Sequence, residues 1–148
     1  MSPAVQQKFS EMDEETIIEK RKVREKLMDE AELDLFNKFK EIVFLGEDDV
    51  VTINQVADYY EVERKTINKI IQRNSCELKE DGIEVLKGEN LRKIKDKLQN
   101  STRKHLVTVY NKIKKVPYIT VFPRRAVLRV GMLLQDSKVA KKIRNYLL

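Results

Sequence analysis

Residues Val51–Arg73 read VTINQVADYYEVERKTINKIIQR, and the spacing of their apolar side chains governs how the rest of the chain is interpreted. Thr52 is placed to N-cap a helix, its hydroxyl meeting the free N–H groups of the first turn. Ile53, Val56, Ala57 and Tyr60 follow at i, i+3, i+4 and i+7, which is one helical face. Ala57 is small where two crossing helices come closest. Glu61-Val62 then makes a corner, with Val62 filling the angle, and Glu63 or Arg64 opens a second helix. In that helix Ile67, Ile70 and Ile71 turn inward, while Arg64, Lys65, Asn68, Lys69, Gln72 and Arg73 fall on the opposite side. The positions Val56, Ala57, Tyr60, Val62, Ile67 and Ile70 carry the spacing of a buried helix-turn-helix seam. The competing interpretation is an ordinary α-hairpin with a solvated charged face. One residue departs from the pattern. The corner favours positive φ and usually holds Gly, and Glu61 is costlier there.

The outward face has the chemistry of DNA contact. Arg and Lys reach guanine edges or phosphates, and Asn and Gln pair bidentately with adenine. Arg64, Lys65 and Asn68 lie in the N-terminal half of the second helix, the part that meets base edges in such motifs. Thr66 lies on the same stretch. Lys69, Gln72 and Arg73 flank the backbone, and Thr52 and Asn54 are the candidates for phosphate contacts from the first helix.

The chain has 148 residues, enough for one domain or one small domain with appendages, and its hydrophobic fraction of 41% supports a core. Trp is absent and only four Gly occur, which argues against an all-β fold. The single Cys76 has no partner for an intramolecular disulfide. No apolar run is long enough to span a bilayer, and the start, MSPAVQQKFSEMDEE, lacks a signal-peptide core. A cytoplasmic, nucleoid-associated protein of a bacterial host is the expectation, without a membrane partner.

Charge is unevenly distributed. Residues 1–50 hold 8 Lys and Arg against 14 acids, residues 51–100 hold 10 against 9, and residues 101–148 hold 12 against 1. Such asymmetry points to a polyanion partner, here double-stranded DNA. The basic C-terminal third is expected to grip the backbone through Lys112, Lys114, Lys115, Arg124, Arg125 and Arg129. If ~6–8 phosphates are neutralised, affinity falls steeply with salt. One such unit rarely gives enough specificity, so a homodimer on two half-sites is expected.

Outside the central motif, residues 1–10 are expected to be a disordered start. Met28, Ala31, Leu35, Phe39, Ile42 and Val43 form an apolar stripe, extended less regularly by Ile17, Ile18, Val23 and Leu27. The stripe predicts one long helix, or two with a break, over Glu14–Phe44. Residues 1–45 are accordingly an acidic helical arm, and residues 46–148 a DNA-binding domain with basic C-terminal helices. The outer part of the arm either packs on the domain or pairs with another subunit. Gly46–Asp49 is a turn, Asn90 to about Leu98 a short basic helix, and Ile83–Leu86, Leu106–Tyr110 and Pro117–Phe122 are candidate strands. The expected fold is mainly α with a small antiparallel β element, a helix-turn-helix of the winged kind, with Asn111–Lys115 as the hairpin tip. Pro123 opens a helix through Leu134. Asp136 or Ser137 caps a last one bearing Val139, Ala140, Ile143 and Leu147. The apolar Leu147-Leu148 end points to a fragment of a longer protein, or to an end covered by a partner.

Three stretches carry a family resemblance: Pro123–Leu148 (PRRAVLRVGMLLQDSKVAKKIRNYLL), Val56–Val62 and Glu77–Gly88. The chain resembles DNA-binding regulators of prophages and mobile elements, among them phage antirepressors with a BRO-type N-terminal domain. In those domains a Ser and a following Ala precede an aromatic-containing basic helix, and Ser137, Ala140, Arg144 and Tyr146 resemble that arrangement. The resemblance implies a repressor or antirepressor, often with a separate C-terminal effector domain. The long acidic arm stands where a BRO-type start would be.

Enzyme chemistry is not expected. One His (His105) and one Cys (Cys76) cannot build a zinc site, and the scattered Gly residues make no phosphate loop, so no catalytic residue, metal or cofactor is assigned. The rival to a DNA-binding regulator is a protein-interaction module. In it, residues 1–45 would bind and inhibit a repressor or host DNA-binding factor through its basic surface.

Overall fold

The computed structural model describes residues 14–32 and 34–148; the expected disordered start, residues 1–10, lies outside the described residues. The fold is 64% helical with a three-stranded antiparallel sheet, as the sequence predicts. In chain order, α1 (Glu14–Glu19), α2 (Arg21–Glu30) and a 3-10 turn (Leu35–Lys38) lead into β1 (Val50–Thr52). The helices α3 (Ile53–Tyr60), α4 (Arg64–Arg73) and α5 (Ser75–Glu80) follow, then β2 (Glu84–Lys87). Next come α6 (Gly88–Gln99), α7 (Lys104–Ile113), β3 (Tyr118–Pro123), α8 (Arg124–Leu133) and α9 (Lys138–Leu147).

The sheet order is β1-β3-β2, with Val51 opposite Phe122 and Leu86 opposite Ile119. Three helices separate β1 from β2 and two separate β2 from β3, and the last strand in sequence takes the centre of the sheet. Because successive strand side chains face opposite ways, the sheet separates two apolar clusters. Val51 and Phe122 face the main core under α3, α8 and α9. Val50, Ile119 and Val121 face a smaller core closed by Leu91, Ile94 and Leu98 of α6 and Val109 and Ile113 of α7.

Two expectations are corrected here. Leu106–Tyr110 is not a strand but the middle of α7. Its β-branched residues favour a strand in isolation, yet Leu106, Val109, Tyr110 and Ile113 recur at helical spacing and pack on the smaller core. Asn111–Ile113 is therefore the C-terminal end of α7, and Lys114-Lys115 is the turn that follows it, not a hairpin tip. The two strands of the ribbon, β2 and β3, are joined instead through the α6–α7 helical pair.

The segment Glu14–Phe44 breaks at Lys20, where the backbone is extended (φ −111, ψ 113), and α2 ends at Ala31, so no helix reaches Phe44. Arg24 explains the first break: its guanidinium donates to the carbonyls of Ile17 at 3.2 Å and Ile18 at 2.7 Å, satisfying the end of α1. The described part of the acidic arm does not stand apart. Ile17, Leu27, Met28, Leu35 and Phe36 share the main core with Val56, Tyr60 and Ile67.

The tail motif is structural. Ser137 caps α9, accepting from the Ala140 N–H at 3.1 Å and donating to the Tyr60 carbonyl at 2.7 Å, which ties α9 to the end of α3. Arg144 is buried and donates to the carbonyls of Gly131 at 2.8 Å and Leu134 at 2.5 Å, closing the end of α8. Tyr146 stays half-exposed, its ring edge-on to Phe39 and its hydroxyl 2.8 Å from the Lys38 ammonium.

Candidate nucleic-acid interface

Thr52 closes a full capping box. Its hydroxyl accepts from the Gln55 N–H at 3.2 Å while the Gln55 side chain accepts from the Thr52 N–H at 3.0 Å. The same Gln55 donates to the Val43 carbonyl at 2.8 Å and so anchors the start of α3 to the preceding strand-like segment. At the other end Glu61 adopts φ 57, ψ 45, the left-handed conformation that lets the chain turn sharply into α4. Val62 packs against the core at the corner, as its spacing predicts.

Packing orients α4. Ile67 is fully buried and Ile70 and Ile71 pack against the main core. The opposite side, Arg64, Lys65, Asn68, Lys69, Gln72 and Arg73, is exposed, and the helix contains no acid. Thr66 is half-buried at its edge. Arg64 donates to the Asn54 carboxamide oxygen at 3.5 Å, so the first residue of α4 and the start of α3 form one polar spot. That spot borders a shallow groove also lined by Lys112 of α7 and by Tyr118 and Thr120 of β3. Lys112 lies 3.9 Å from Asp58, and Lys114 and Lys115 are exposed just beyond α7. Tyr118 was not singled out from sequence. The signal for it is the alternation of Pro117–Phe122, which sends Tyr118 and Thr120 to the face opposite Ile119 and Val121.

Other expected contacts lie elsewhere. Thr52 is buried and its hydroxyl is committed to the cap, so it does not reach a phosphate. Arg129 is fully buried and also leaves the DNA-facing set. Its guanidinium donates to Asp81 at 2.7 and 2.9 Å, to Glu77 at 2.9 Å and to Glu25 at 2.7 Å. Arg125 is committed in the same way, to Glu25 at 2.7 Å, Asp29 at 2.8 Å and Asp81 at 3.2 Å. Arg24 completes the network with a bidentate pair to Glu77. Arg124 is half-buried with its guanidinium 4.0 Å from the centre of the Phe44 ring.

The physical reason is desolvation. Arg24, Arg129, Glu77 and Asp81 are shielded from water and need one another, because a buried charge without a partner is strongly destabilising, and Arg125, Glu25 and Asp29 join them at the rim. Hydrogen bonding from Arg129 holds the Glu25 carboxyl below its ordinary value despite opposing burial. Burial pulls the Arg129 guanidinium down, but its bonds to Asp81 and Glu25 outweigh this and leave it raised. Among the described residues no buried side-chain nitrogen or oxygen lacks a partner. Part of the charge asymmetry between the ends of the chain is thus settled inside the molecule. Among the described residues no helix is long and apolar enough to cross a membrane.

A family model described as the ORF6N domain matches residues 40–122, more than half of the chain. The match spans β1 through nearly all of β3, with α3, α4, α5 and the α6–α7 pair inside it. No curated protein and no solved structure matches the chain.

Proposed function

Because this chain belongs to the ORF6N domain family, a domain found in phage antirepressors and BRO-type proteins, we propose that it is a DNA-binding transcriptional regulator that reads duplex DNA through α4. The observation that carries this reading is the exposed face of α4. Two arginines, two lysines, an asparagine and a glutamine share one side of a helix whose other side is held by Ile67, and the Glu61 corner sets that helix proud of α3. In this reading Arg64, Lys65 and Asn68 meet base edges in the major groove, and Lys69, Gln72 and Arg73 the flanking phosphates. Asn54, Lys112, Lys114 and Lys115 border the same surface and add backbone contacts. Specificity comes from two copies on two half-sites.

The rival reading, a module whose acidic N-terminal segment occupies a basic partner, is less well supported. Among its described acids, Glu25 is drawn into the internal network by Arg125 and Arg129, while Asp29, Glu32 and Glu41 make only solvated pairs with Arg125, Lys38 and Arg103. The deciding experiment selects bound duplexes from a randomised pool and repeats the gel shift with Arg64→Ala combined with Lys65→Ala. Enrichment of discrete sequences whose binding the double variant abolishes supports the proposal. Undiminished binding by that variant overturns the assignment of α4.

A further inference from the structure

The face of the sheet that carries Val51 and Phe122 into the main core runs on along the β2–β3 ribbon, beyond that core, as an uncovered strip. Register sets Lys87 opposite Tyr118 and Val85 opposite Thr120, alternating with Leu86 opposite Ile119. Leu86, Ile119 and Val121 pack into the smaller core. Val85, Lys87, Tyr118 and Thr120 consequently share the other face. That face is open: Tyr118 is 62% exposed, Val85 56% exposed, Lys87 exposed and Thr120 half-buried. It is also adjacent to α4, because Tyr118 and Thr120 line one groove with Asn54, Arg64 and Lys112. The acid of β2, Glu84, lies on the reverse side, where it lines a cleft with Leu86 and Ile94. The open face thus presents a cation, a phenol, a hydroxyl and an aliphatic side chain, and no carboxylate.

We propose that this ribbon face is a second DNA-contacting surface, docked on the sugar–phosphate backbone beside the groove that α4 enters. The inference rests on the DNA-binding reading above and deepens it. The Tyr118 O–H donates to a phosphate oxygen, the Lys87 ammonium neutralises another, and Val85 lies against deoxyribose. A wing that ended in a short loop would make such contacts with its tip. Here the strands are joined through α6 and α7, so the flat of the ribbon meets the backbone instead. Backbone contact of this kind adds affinity without sequence preference.

The test titrates the full chain onto a short random-sequence duplex across a salt series. It is repeated for Tyr118→Ala, Tyr118→Phe, Lys87→Gln and the Arg64→Ala/Lys65→Ala double variant. Tyr118→Phe is expected to weaken binding by roughly tenfold, the lower end of the scale of one lost hydrogen bond to a charged acceptor, and Tyr118→Ala, which also loses the ring, by more. Lys87→Gln is expected to lower the slope of log affinity against log salt by about 0.9, the signature of one phosphate contact. A folding defect does not move that slope. Wild-type affinity in Tyr118→Ala together with a wild-type slope in Lys87→Gln, while the double variant loses binding, overturns the ribbon surface and leaves α4 as the reader. Failure of the unaltered chain to bind any duplex at low salt overturns the DNA-binding reading itself.

Discussion

Glu61 occupies φ 57, ψ 45 at the corner between α3 and α4, a conformation in which a Cβ is unfavourable and glycine is at ease. Its exposed carboxylate is 3.9 Å from Lys40, a solvated pair that contributes little. The residue is therefore held by its surroundings. Val62 donates its N–H to the Ala57 carbonyl at 3.0 Å, and Val62 itself packs on the core. Glu61→Gly relieves about 1–2 kcal/mol of left-handed strain and gives back about 0.4–1 kcal/mol through a freer unfolded chain. We expect a net gain of about 0.5–1 kcal/mol, seen as a thermal midpoint higher by about 2 °C, with DNA binding unchanged. A lower midpoint in the variant would mean that the carboxylate has a role the corner geometry does not reveal.

At the scale of elements, the joint between α2, α5 and α8 is made of charge. Arg129 from α8 meets Glu25 from α2, Glu77 from α5 and Asp81 just after it, all within hydrogen-bond distance. Arg129→Met would leave Asp81 and Glu77 shielded with too few cations, and a loss of about 3–5 kcal/mol in urea unfolding is expected. The network also predicts a pH response. The Glu25 carboxyl is held below its ordinary value of 4.5, so its contribution to stability is fully present above that value. The contribution is lost as pH falls through the lower folded-state value. Melting temperature should drop in that acid window, and Glu25→Gln should flatten the drop while lowering stability at neutral pH. A variant whose acid limb matches wild type would remove Glu25 from the account. Because α5 continues from α4 through Asn74, this joint also fixes the end of the proposed reading helix.

For the whole molecule, the internal pairing changes what salt should do. Arg125 and Arg129 are already paired with acids on α2, on α5 and just after it, so their charge is compensated within the fold, whereas Lys69 stands exposed on α4. In a duplex titration Lys69→Gln is expected to lower the salt slope by about 0.9, and Arg125→Gln to leave it unchanged once the variant is shown by melting to be folded. Equal slopes in the two variants would contradict the division into internal and DNA-facing cations.

The division between what was legible early and what was not follows from the range of the interactions. Sequence by itself determined the two helices Ile53–Tyr60 and Arg64–Arg73 and the corner between them, because Thr52, the Val56–Tyr60 face, Val62 and Ile67 each act on neighbours close in the chain. It also gave the predominance of helix, a strand at Pro117–Phe122 that the structure places one residue later, and a family resemblance whose Val56–Val62 and Glu77–Gly88 stretches, though not its tail, fall inside the matched residues 40–122. It misjudged α7, because Val107 and Val109 favour a strand until Leu91, Ile94 and Leu98 supply a surface for a helical face to cover. Only the tertiary structure decided which basic residues face outward. Arg125 and Arg129 look, in sequence, like any other cations of the C-terminal third, and their acidic partners lie some fifty to a hundred positions earlier in the chain. Local periodicity records which side of a helix is apolar. It holds no record of which distant carboxylate a guanidinium will meet when water is excluded, and that meeting assigned these arginines to the fold while the cations of α4 stayed exposed.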